Sequence, residues 1–348
     1  MKRAGAVPTW LVLLSALLPG SVAAACAPAA EAARQLRCGS VPVVLGALAG
    51  AWRDGFAAAQ PEAAVAYPQP YGPPQGRLDP QLAGFLRGAL DFAFLTRDLA
   101  EADLATFGHH HGGGEPLRLP VAGGSWNRFG HVDPVAVVVH VSNPLPSLDL
   151  AQLEAVFAEG GADISRWEQL GVQAWSGRPI RLAGGGAWQA EESARALFLR
   201  RHVFARPAGA RGWRAAPDSG DESDNVQRVA ADPQAIAFTG LGHLLPGTRA
   251  LPIAPHPGAA PVVPDRESVA SGRYPLARTV DLLLPRDARG RIDPVMARFA
   301  AFLLSDAGQA IVAAQEAFLP LDECRRRQSL AWLAAGWSPQ RQTQCAGE

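Results

Sequence analysis

Short apolar runs alternate with amphipathic helices along almost the whole chain, and that alternation admits few folds other than α/β layering. The clearest run is VDPVAVVVHV (132–141), whose β-branched residues suit a strand. DFAFLT (91–96) reads as a buried strand, with shorter strands expected at 36–38, 63–67, 116–122, 180–183, 235–239, 249–253 and 280–284. Leu45, Leu48, Trp52 and Phe56 fall at spacings of three and four, which places them on one face of a helix. Further helices are expected at 80–87, 100–107, 148–157 with Ser147 as cap, 191–202, 225–231, 293–305, 306–314 and 324–335. A length of 348 residues suggests two domains, each able to bury its own core.

Charge narrows the function. The chain has 32 Lys+Arg against 32 Asp+Glu, so it carries no basic field for nucleic acid. With 18% charged and 48% hydrophobic residues it is not a disordered chain. Lys2 and Arg3 precede an apolar stretch, Trp10 to Leu18, then Pro19-Gly20 and the small residues Ser21 to Ala25. This pattern predicts a secretory signal peptide over 1–25 and an exported, periplasmic protein. The apolar stretch is too short for a hydrocarbon layer of about 30 Å, and no later segment reaches the required length.

All four cysteines lie beyond that segment, as two sequence-local pairs. Disulfides Cys26–Cys38 and Cys324–Cys345 are expected, although four cysteines allow other pairings. The alternative for Cys26, which follows Ala23-Ala24-Ala25, is lipid modification as the first mature residue.

Few features suggest chemistry. His109-His110-His111 cannot easily converge on one metal from adjacent positions, and a Gly-rich loop follows them. Asp218, Asp221, Glu222 and Asp224 lack the spacing of an EF-hand. No G-x-S-x-G, H-E-x-x-H, C-x-x-C or Walker A pattern is present. No catalytic residue, metal or cofactor is therefore expected, and an exported metal-dependent enzyme is the weakest of the alternatives.

Several blocks point elsewhere. GALDFAFLTRDL (88–99), ISRWEQLG (164–171), DNVQRVAADPQAIAFTGLGHL (224–244), SVASGRYPLAR (268–278) and FLLSDAGQAIVAAQEAFLPL (302–321) occur in a fixed order. In that order they resemble the phosphate-binding proteins of ABC importers, a type II periplasmic binding protein family. The resemblance implies two α/β lobes with a ligand cleft between them: 26–122 plus 250–323, and 123–249, with 324–348 as a stapled tail. It further implies a monomer that captures a small oxyanion by lobe closure and delivers it to a membrane permease. Helix N-termini and arginine forks would hold the ligand. Matched to the family's ligand loops, the candidates are Ser40, Thr96, Arg97, Ser193 and Arg195, with Tyr71 and Gln75 in a Pro-rich loop. Ser40 reads equally as a helix cap, and Arg97 equally as the partner of Asp98, Glu101 or Asp103. Glu191 and Glu192 bring negative charge to the third ligand loop, and Trp188 and Trp126 are candidates to line the cleft. These departures motivate a second possibility, a divergent protein that senses or scaffolds through a partner.

Overall fold

The computed structural model describes residues 34–67, 80–160, 163–184, 187–188, 191–204, 212–214 and 222–335. The order begins with β1 (Arg34–Arg37), α1 (Gly46–Ala59), β2 (Ala63–Ala66), α2 (Pro80–Leu86), β3 (Ala93–Leu95), α3 (Glu101–His110) and β4 (Leu117–Gly123). Next come β5 (Val135–His140), β6 (Leu148–Asp149), α4 (Leu150–Phe157), β7 (Arg181–Leu182), β8 (Ala187–Trp188) and β9 (Glu191–Glu192). After α5 (Ala194–His202) and α6 (Glu222–Ala231), β10 (Ala235–Gly240), β11 (Thr248–Ala250) and β12 (Ile253–Ala254) follow. The remaining elements are α7 (Arg266–Ala270), β13 (Thr279–Leu284), α8 (Pro294–Leu303), α9 (Asp306–Ala314) and α10 (Glu323–Ala335).

Two sheets organise these elements. In the first, β13 runs antiparallel between β3 and β4. The parallel pair β1–β2 joins it through a parallel bridge between Cys38 and Phe92. In the second, the order is β11-β5-β10-β7. The β5 sequence explains its central place. Val135, Val137 and Val139 enter one apolar cluster while Ala136 and Val138 enter another, so the strand is buried on both faces.

Each sheet has its own core. Behind the first, α1 turns Leu48, Trp52 and Phe56 inward, as their spacing predicts, against Phe92, Phe94 and Phe299. Phe56 meets Phe299 edge-on at 5.1 Å, and the Trp52 indole donates to the Gly308 carbonyl at 3.0 Å. Asp293 caps α8 and Pro294 opens it, the arrangement an Asp-Pro pair favours. Behind the second sheet, Phe157, Trp167, Phe204, Phe238 and Tyr274 fill the core.

Three expectations need correction. The helix expected at 148–157 starts at Leu150, and its cap is Asp149, not Ser147. Leu148 and Asp149 first pair with β12, and Asp149 and Gln152 then form a capping box. The helix expected from Glu191 starts at Ala194, because Glu191 and Glu192 pair with β8 in a short hairpin. Cys38 is a buried thiol whose Sγ donates to the Ser40 carbonyl at 3.1 Å, so the expected Cys26–Cys38 bridge is not formed. Cys26 and Cys345 lie outside the described residues, as does the segment read as a signal peptide.

Two stretches, 124–134 and 251–278, pass between the sheets. Gly124 sits where a Cβ would lie 2.1 Å from the Val132 carbonyl oxygen, so this crossing tolerates no side chain there. The Tyr274 hydroxyl donates to the Val135 carbonyl at 2.9 Å, and burial pushes that phenol upward in pKa. Among the described residues, no single helix is long and apolar enough to cross a membrane.

Candidate functional site

The first candidates lie where strands of the first sheet end. Gly39 N–H donates to the Phe92 carbonyl at 2.5 Å and Phe94 N–H to the Ser40 carbonyl at 2.9 Å. This register sets Ser40 beside Phe94, two residues before Thr96. Both hydroxyl residues therefore leave the sheet at the carboxyl ends of adjacent parallel segments, and both are buried. Carboxyl ends of strands are where open α/β sheets place ligands. Ser40 is not the cap of the helix that follows: that position belongs to Pro42 for the short 3₁₀ turn and to Leu45 for α1.

Beside them stands a belt of paired charges. Arg97 Nη1 donates to Asp103 Oδ2 at 2.9 Å and to the Asp98 carbonyl at 2.7 Å. Asp98 is only 2% exposed. Its carboxylate meets the Arg118 guanidinium, which also contacts Asp281 at 2.5 Å, and accepts from His202 Nε2 at 3.0 Å. Burial alone would raise the Asp98 carboxyl, but Arg118 and His202 outweigh it and hold it well below the usual carboxylate range. Burial by itself would lower Arg118, yet its two aspartates push it above the ordinary arginine value. Arg278, also buried, donates to the Thr96 carbonyl at 2.5 Å and brings a further positive charge to the strand end.

The second sheet contributes α5. Ser193 caps it, its Oγ accepting from Ala196 N–H at 3.1 Å. Arg195, in the first turn, reaches Asp133 Oδ1 at 2.5 Å, and Gly242 N–H donates to the other oxygen at 2.7 Å. Asp133 has no exposure at all. A Cβ on Gly240 would fall 2.3 Å from Arg195 and 2.4 Å from Asp133, so glycine is what lets the pair close.

Ser40, Thr96 and Arg97 thus lie at one edge of the first sheet, and Ser193 and Arg195 share one helix start. Tyr71 and Gln75 lie outside the described residues. Trp126 Nε1 donates to the Pro264 carbonyl at 3.2 Å. His111 stacks on Phe107 at 3.9 Å, away from His109 and His110. Among the described residues no group of His, Cys, Asp and Glu is arranged to hold a metal. Arg118, Asp133 and Arg278 were not singled out from the sequence, and Asp98 was considered only as a partner of Arg97. Arg278 had a signal as the last residue of the SGRYPLAR block, and Asp98 as part of GALDFAFLTRDL.

The model of the PBP superfamily domain matches residues 40–307, most of the chain and both sheets. The chain belongs to the PBP superfamily. Within it, the chain is 25% identical over 246 residues to the phosphate-binding protein PstS of Pseudomonas aeruginosa, covering 67% of this chain and 69% of that protein. It is 26% identical over 242 residues to protein SphX of Synechococcus elongatus, covering 68% and 65%. Among solved structures, PstS of Borrelia burgdorferi superposes with a TM-score of 0.52 at 14% identity, covering 83% of this chain and 99% of that one. An ABC-type phosphate transport receptor of Vibrio cholerae gives 0.50 at 18% identity, covering 82% and 99%. These likenesses establish the type II periplasmic binding fold expected from the sequence.

Proposed function

We propose that this member of the PBP superfamily is an exported solute-binding protein that captures a small, phosphate-like oxyanion between two lobes and presents it to an ABC permease. The observation that carries the reading is the convergence of Ser40 and Thr96 at neighbouring strand ends, with Arg97 and Arg278 at the same edge. A desolvated oxyanion needs several donors and a positive surround, and this edge offers both. The names of the relatives support the same ligand class. The lobes would be 26–122 plus 250–323 and 123–249; the two sheets have separate cores, and Leu251, Ile253, Tyr274 and Leu276 of the first assignment pack with the second core. Residues 1–25 would direct export, and the protein would act as a monomer without catalysis. Cys324 would form a disulfide with Cys345, its sequence-local partner.

Calorimetry with inorganic phosphate and with sulfate tests the reading. Heat with phosphate that weakens at least about tenfold in Arg97→Ala is the expected result. Silence with every oxyanion would remove it. One observation favours a second reading, a sensing or scaffolding role: Arg97 and Arg195 are already engaged by Asp103 and Asp133. Silence in calorimetry combined with retention of a membrane or protein partner would support that reading instead.

A further inference from the structure

The last turn of α5 carries Arg200, Arg201 and His202, and the first turn of α3 carries Glu101 and Asp103 with Asp98 just before it. Each set of charges suits the dipole of its own helix end. The two ends face one another across the space between the sheets. His202 Nε2 lies 3.0 Å from Asp98 Oδ1, and Arg200 Nη1 lies 3.3 Å from Glu101 Oε1. α5 packs with the second core through Ala196, Phe198 and Leu199, whereas Phe107 of α3 and Leu99 just before it enter a separate apolar cluster with Ala93, Leu95 and Leu283 of the first sheet. These two contacts therefore join the halves by charge rather than by apolar packing.

We propose that His202 is the positioning residue of a clasp that holds the two halves closed, with Asp98 as its fixed receiver and Arg200–Glu101 as an outer contact. The proposal rests on the cleft reading given above. Asp98 suits the receiver role because it is already a desolvated anion, locked on its own side by Arg118, which is itself held by Asp281. Arg97 fixes the Asp98 carbonyl, and Arg325 on α10 interacts with Asp281 from behind. His202 suits the moving role. Its side chain is 44% exposed, it leans on the Phe198 ring at 4.5 Å, and its Nε2 reaches the Asp98 carboxylate of the opposite half. Imidazole is also the side chain that changes charge within the range of ordinary surroundings. A clasp built on it tightens when protonated and relaxes to a neutral hydrogen bond when not. Closure would thus be favoured in mildly acidic surroundings even before a ligand arrives, and apparent affinity would rise with the closed fraction.

Two measurements on the full exported chain test this. Small-angle scattering without ligand, at about pH 5.5 and about pH 8.5, should show the wild type more compact at the lower pH. His202→Ala should be expanded at both, and His202→Gln should lose the pH dependence. Phosphate calorimetry, with variants compared only within each pH because phosphate itself titrates, should show His202→Ala weakened about fivefold at the lower pH and less at the higher. Scattering that responds as stated while phosphate gives no heat supports the clasp and removes only the ligand assignment. Phosphate binding that His202→Ala leaves unchanged, with scattering that ignores both pH and substitution, overturns the clasp and leaves capture standing.

Discussion

Two buried aspartates mark the two halves of the molecule, and they are satisfied in opposite ways. Asp133 is closed within the second half: Arg195 and the Gly242 amide serve it from α5 and the turn after β10. Asp98 is served from its own half by Arg118 and from the other half by His202. The first arrangement can stiffen a local structure whatever the halves do. The second is complete only when they are together. A buried carboxylate shared between two bodies is therefore a marker of their relative position, while one kept inside a body is part of its frame.

Substitution separates these roles. Asp133→Ala leaves Arg195 buried without its acid and should cost about 3–5 kcal/mol, read as a fall in the urea midpoint. A cost under about 1 kcal/mol would show that Asp133 is not part of the frame. Gly240→Ala pushes a methyl into the same pair and should cost about 1–3 kcal/mol in the same assay. Ser193→Ala removes the cap of α5 and should cost about 1 kcal/mol, without altering the pH dependence of stability.

The pH dependence belongs to Asp98. Its folded-state pKa is depressed, so the stability it contributes is present above the ordinary carboxylate range and is lost as pH falls through that range toward the folded value. Asp98→Asn should therefore lower stability at neutral pH and flatten the decline below about pH 4, measured by thermal unfolding across pH. An unchanged acid slope would mean that Asp98 is not the group that Arg118 and His202 hold charged.

Local signals were legible in the sequence. The apolar spacing on α1 and the β-branched run of β5 act over a few residues, and each formed as expected; the helix expected at 293–305 also formed, as α8. Ser193 was read inside a helix starting at Glu191; it becomes the cap because Glu191 and Glu192 are drawn into a hairpin just before it. The α4 cap was misplaced because Leu148 pairs with Ile253, a partner more than a hundred positions away. The charged pairs of the site were hidden for the same reason. Arg195 finds Asp133 across 62 residues, His202 finds Asp98 across 104, and Arg118 finds Asp281 across 163. Acids and arginines are spread along the whole chain, and nothing in their order says which ones the fold will bury together.

The Tyr274 hydroxyl bond to Val135 has a mechanical consequence. It pins the first residue of β5 to the returning crossing, so the two crossings are tied together at the base of that strand. Upstream of that tie the first crossing is held a second time, where Gly124 packs against the backbones of Val132 and Arg278. The proposed rocking of the halves would then turn about both crossings as one braced pair, not about either strand of chain alone.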